Sequence, residues 1–76
     1  MAFEVILNRP HLYRVLLEDR HEGVYINVFE SPAANEPFID RLAPHLEGAK
    51  LGCLEEFGIQ EDQWIEVPNE PWHAPG

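Results

Sequence analysis

Residues 12–30 read LYRVLLEDRHEGVYINVFE, and this stretch decides the fold. From Leu12 to Glu18 the side chains alternate, with Tyr13, Val15 and Leu17 on one side and Leu12, Arg14, Leu16 and Glu18 on the other. That two-residue period is the mark of a strand. A polar segment over residues 19–23 follows, and then Val24, Ile26 and Val28 alternate with Tyr25, Asn27 and Phe29. Two alternating runs joined by a short polar turn predict a β-hairpin. Leu12, Leu16, Tyr25 and Phe29 are expected on a half-exposed sheet face, and a patch of that kind usually marks an interface. Either a homodimer forms through it, or Phe38, Ile39 or Trp72 folds over it.

Upstream, residues 3–8 (FEVILN) are rich in β-formers and end where Pro10 removes a ladder donor, which predicts a first strand. Downstream, residues 31–37 (SPAANEP) hold two prolines and read as a surface crossover. Residues 38–42 (FIDRL) are expected to add a short turn of helix. Pro44 then takes the first position of the main helix, where its missing N–H is harmless. At about 100° per residue, Leu46, Ala49, Cys53 and Phe57 fall within about 80° of arc, the core stripe of a helix roughly fourteen residues long. Gly58 is placed to cap it in the left-handed conformation. Asp62 starts a turn, and residues 64–67 (WIEV) read as a short fourth strand. The expected fold is α+β: an antiparallel three-stranded meander, one packed helix and a fourth strand, in the order βββαβ, over residues 1–67. Residues 68–76, with three prolines, read as a flexible tail.

Fourteen acids against five bases leave a net charge of −9 in 76 residues. Such a chain repels phosphates, and Arg9, Arg14, Arg20, Arg41 and Lys50 form no strip along which a nucleic-acid backbone could run. No apolar run reaches the ~18 residues that cross a bilayer, and the first residues lack the basic region of an export signal. The single cysteine, Cys53, has no partner for an internal disulfide. These features suit a protein of the cytoplasm.

Catalytic chemistry finds little purchase. His11, His21, His45 and His73 stand 10, 24 and 28 residues apart, none at the helical spacing a metal pair needs. No metal or cofactor is therefore expected. His45 lies eight residues before Cys53 on the same helix, about 12 Å along its axis, too far for a nucleophile and its base. The adjacent acids Glu18 with Asp19, Glu55 with Glu56, and Glu61 with Asp62 point outward rather than across a cleft. The five glycines make no phosphate loop. The chain reads as not an enzyme.

Two features stand out instead. Gly48 and Gly52 sit four apart on the helix side opposite the core stripe, where each costs about 1 kcal/mol relative to alanine. Charge is also uneven: residues 1–41 carry seven acids and four bases (−3), residues 42–76 seven acids and one base (−6). An acidic side of this kind steers toward a basic partner. The expected contributors are Glu47, Leu51, Glu55 and Glu56 on the helix, with Glu61 and Asp62 in the turn. The other functional reading is a small-ligand or metal site in a cavity near Tyr13, Tyr25 and Cys53, or a structural homodimer.

Residues 46–50 (LEGAK) and 54–59 (LEEFGI), with Asp62 and Trp64 after them, resemble a group of small bacterial proteins of unknown function. These pair a Tyr-Arg-Val-type hairpin with a helix ending in aromatic-Gly-aliphatic, then a turn and a tryptophan. The resemblance spans residues 12–67 and implies a fold but no activity. More loosely, the order of elements and the acidity are similar to HicB-type antitoxin domains, which implies binding of a small basic toxin. The crossover over residues 31–41 lacks the Pro-Gly-Cys-like turn of that family, and no DNA-binding segment follows residue 67, so no binding residue carries over.

Overall fold

The computed structural model describes residues 1–68, so most of the expected tail, with Trp72 and His73, lies outside the described residues. In chain order the elements are β1 (Ala2–Arg9), β2 (Leu12–Arg20), β3 (Gly23–Phe29), β4 (Ile39–Ala43), α1 (Leu46–Phe57), a 3-10 turn (Glu61–Gln63) and β5 (Ile65–Val67). The five strands form one antiparallel sheet in the order β4-β3-β2-β1-β5, and the class is α+β. Helix α1 carries the chain from the β4 edge across one face to the β5 edge. Among the described residues no helix is long and apolar enough to cross a membrane.

Residues 39–43 correct the expectation of a helical turn. The segment extends the sheet instead, with Val24 opposite Ala43 and Val28 opposite Ile39, after the Phe38 N–H donates to the Val28 carbonyl at 2.9 Å. Pro44 favours this outcome, because its ring pushes the preceding residue out of the helical region. The helix accordingly starts at Leu46, two residues later than expected, and runs twelve residues. His45 is its N-cap: the ring Nδ1 accepts from the Gly48 N–H at 3.0 Å. At the other end Gly58 takes the left-handed conformation (φ 72°), donates to the Leu54 carbonyl, and turns Ile59 back into the core. The Arg9 guanidinium donates to the Phe57 carbonyl at 3.0 Å and ties the first hairpin to this terminus.

The β1–β2 turn places Pro10 and then His11 at φ 58°, a turn position that glycine fills without steric cost. A left-handed non-glycine residue costs about 1–2 kcal/mol, and glycine's extra chain entropy about 0.5–1. His11→Gly is therefore expected to stabilise the protein by about 0.5–1 kcal/mol, read as a higher urea midpoint at unchanged m-value. The exposed His11–Glu30 contact at 3.4 Å offers little to lose.

On the helix face, Val5, Val15, Leu17, Val24 and Val28 meet Ala49, Cys53 and Ile59, with Phe3, Ile26, Ile39, Leu46 and Phe57 around them. The opposite face differs from the half-exposed apolar patch expected. Leu16 and Phe29 are 0% and 2% exposed, with Ala2, Ala34 and Val67 packed against them, and the Arg14 guanidinium lies 4.5 Å over the Phe29 ring. Beside them sit buried polar groups, Glu18 and Asn27. The crossover returns Ala34 to this face, and β5 brings Val67 to its edge. Leu16 and Phe29 are thus covered and Leu12 packs on the helix side, while Tyr25 stays half-buried and Ile6, Leu42 and Ile65 are exposed on this face.

Candidate functional site

Helix α1 turns three sides to its surroundings. Leu46, Ala49, Cys53 and Phe57 form the core stripe, with Ala49 and Cys53 fully buried. On one flank Glu56 reaches β4 and accepts two hydrogen bonds from the Arg41 guanidinium, at 2.5 and 2.8 Å. This fork holds the Glu56 carboxyl below the usual carboxylate range and raises Arg41. On the other flank Glu47, Lys50, Leu51 and Leu54 follow the i, i+3, i+4, i+7 spacing of one stripe and line a groove.

The groove's far wall is built by the return of the chain. Gly58 reverses direction, Ile59 drops into the core, and the 3-10 turn places Glu61 and then Trp64 against the helix. The Gln60 N–H donates to the Gln63 side chain at 2.7 Å and the Gln63 N–H to the Gln60 carbonyl at 3.1 Å, which fixes this turn. Leu46, Ile59 and Trp64 complete the apolar part of the lining of this groove, whose volume is about 430 Å³. Lys50 crosses it: its ammonium lies 3.2 Å from the Glu61 carboxylate and 4.8 Å from the centroid of the Phe3 ring. Leu51 and Leu54 remain 57% and 40% exposed.

The six expected partner-binding residues separate accordingly. Glu47, Leu51 and Glu61 line the groove together; Glu55 and Asp62 are exposed on the same two elements; Glu56 faces the other flank in its fork with Arg41. The sequence reading passed over Leu54, Lys50, Ile59 and Trp64. The helical spacing from Glu47 to Leu54 carries a signal for two of them. For Ile59 and Trp64 the signal is the expected Gly58 reversal.

Gly48 is explained by the cap, since a Cβ there would stand 3.0 Å from the His45 ring; nothing in the structure explains Gly52. Tyr25 lies on the sheet face away from the helix, across from Glu18 and Leu42, and its hydroxyl donates to Glu22 at 3.2 Å. Cys53 is in the core on the other face, so these two of the three residues of the expected ligand cavity are not brought together. Among the described residues no group of three His, Cys, Asp or Glu could hold a metal ion. His11 is in the first turn, His21 at the hairpin tip and His45 in the helix cap.

Burial pushes the Cys53 thiol up to about 11, so thiolate is scarce at neutral pH and the group packs as a small hydrophobe. Because this value lies above that of a thiol in an unfolded chain, the thiol's stabilising contribution is complete below about pH 8.5 and is lost as pH rises toward 11. At pH 8, labelling of Cys53 by a disulfide reagent is expected to run at least about a hundredfold slower in the native protein than in urea. Equal rates would mean the helix opens freely.

Comparison with known proteins returned no matching family model, no matching curated protein and no matching solved structure.

Proposed function

We propose that this protein is a non-catalytic interaction module of the cytoplasm that binds a basic protein through the acidic side of α1, in the manner of an antitoxin or inhibitor. The observation that carries this reading is the groove along α1. Its floor is apolar and partly exposed, its rim holds Glu47 and Glu61, and Lys50, the lysine in its lining, is already paired with Glu61. A surface with leucines left in water and a surplus of carboxylates complements a partner that is apolar and cationic. The unpaired cysteine and the overall charge of −9 agree with a reducing compartment and with long-range attraction of cations.

The test uses the full chain, immobilised, with cell lysate at 0.05 M and 0.5 M salt. Basic proteins are expected to be retained at low salt and released at high salt, where the screening length falls to a few ångström. The triple variant Glu47→Lys, Glu55→Lys, Asp62→Lys is expected to retain none of them. Equal retention by that variant would refute the acidic-side reading.

A further inference from the structure

We infer that the groove receives an amphipathic α-helix with a basic flank, its leucine-type side chains packed on Leu51, Leu54, Ile59 and Trp64 and its lysines or arginines set against Glu47 and Glu61. This rests on the reading that the partner is basic, and adds the form in which it binds.

Three observations carry it. The apolar surface of α1 is wider than the sheet can cover. The core needs the stripe through Ala49 and Cys53, yet leucines continue around the helix at positions 51 and 54, where a helix with a single buried face carries polar residues. From Glu47 to Leu54 the groove runs seven residues along the helix, about 10 Å. That is two turns, the length over which a second helix presents its own i, i+3, i+4 and i+7 side chains. Its walls are a helix face and a 3-10 turn rather than a strand edge, so the ridges offered are those into which another helix packs.

Charge sets the polarity of the occupant. Lys50 is paired with Glu61 and lies over the uncharged Phe3 ring, while Glu47 makes no ion pair among the described residues, so the groove keeps a net negative charge. An acidic or phosphorylated segment would meet net repulsion there. Trp64 adds a last feature: its indole N–H is buried and finds no acceptor among the described residues. That donor is closed to solvent and so to a docked group as well; what Trp64 offers an occupant is its place in the groove lining, where its emission reports on binding.

The experiment uses the full chain carrying Trp72→Phe, so that Trp64 is the sole tryptophan, and follows its fluorescence at 0.05 M salt. Three 18-residue peptides of leucine, alanine and charged residues are titrated. One has leucines at helical spacing with lysine flanks, one replaces those lysines by glutamate, and one keeps the lysines but spreads the leucines evenly around the helix. The first is expected to bind at least about tenfold more tightly than either control. Leu51→Ser and Leu54→Ser, at positions exposed enough to leave the fold intact, are each expected to weaken it about fivefold or more. Glu61→Gln is expected to weaken it too, because it deletes an acid and releases the Lys50 charge. If both lysine peptides bind alike and the serine variants change nothing, the groove proposal is overturned while the acidic-side reading stands. If neither lysine peptide binds, both fall.

Discussion

Gly23→Ala is expected to destabilise the protein by about 3 kcal/mol. Gly23 closes the β2–β3 hairpin opposite Arg20 and adopts φ 144°. That region of backbone space is essentially reserved for glycine, and holding another residue there costs about 1–3 kcal/mol. Space is the second constraint: a Cβ at residue 23 would stand 2.6 Å from the Ala43 carbonyl oxygen and 3.1 Å from Leu42 Cδ1. The first of these is backbone, so relief requires that the end of β4 move off β3. In a domain of this size 1 kcal/mol shifts the melting temperature by about 4–8 °C, so a fall of roughly 12–24 °C is expected by thermal circular dichroism. Gly52→Ala is the matched control. Nothing lies within 4 Å of its added Cβ, and the position is helical. Alanine there is expected to stabilise by up to about 1 kcal/mol. Loss of similar size at both positions would show that the φ and the Ala43 carbonyl are not what makes Gly23 necessary.

The same contact explains where sequence reading worked. The three long strands, the core stripe of α1, the Gly58 reversal and the strand after Trp64 are written in local patterns: period two, period 3.6, and punctuation by Pro10 and Gly58. Strand β4 is not. Its apolar residues Ile39, Leu42 and Ala43, with Phe38 before them, fit a helical spacing as well as a strand, and the choice is made by pairing with β3 residues 11 to 19 positions earlier and by Pro44. That one ambiguity propagated into the site. Read as helix, residues 38–42 give Arg41 no fixed direction, which leaves Glu56 among the partner-facing acids. In the sheet, Arg41 stands across from Ile26 on the helix side and takes Glu56 to itself. The fork is exposed, so Glu56→Gln is expected to cost no more than about 0.5 kcal/mol in urea unfolding. The groove was half legible: Glu47 to Leu54 is a local stripe, whereas Ile59 and Trp64 join it only once the chain has folded back.

Glu18→Leu is expected to cost about 3 kcal/mol, and Asn27→Leu in the same chain is expected to return part of it. Glu18 is fully buried on the sheet face away from α1, where the Arg20 guanidinium donates to one carboxylate oxygen at 2.8 Å and the Asn27 amide to the other at 3.2 Å. Removing the carboxylate takes away the acceptor to which both donate. Breaking a buried charged pair from one side typically costs about 3–5 kcal/mol, and Arg20, with 19% of its side chain exposed, can turn its charge toward water and moderate this. Asn27 has no such exit: it is fully buried, and its remaining donor contact, to the Leu16 carbonyl, is long at 3.4 Å. Replacing it as well exchanges a stranded amide for apolar contact with Leu16, which lies directly opposite. The double variant is therefore expected to be less destabilised than the sum of the two single ones by about 1–2 kcal/mol in a urea double-mutant cycle. Strict additivity would mean that the carboxylate and the amide do not act as a unit. The cycle bears on function as well. This polar row interrupts a face whose exposed apolar side chains, Ile6, Leu42 and Ile65, stand on β1, β4 and β5, whereas Leu51 and Leu54 line a single groove beside α1.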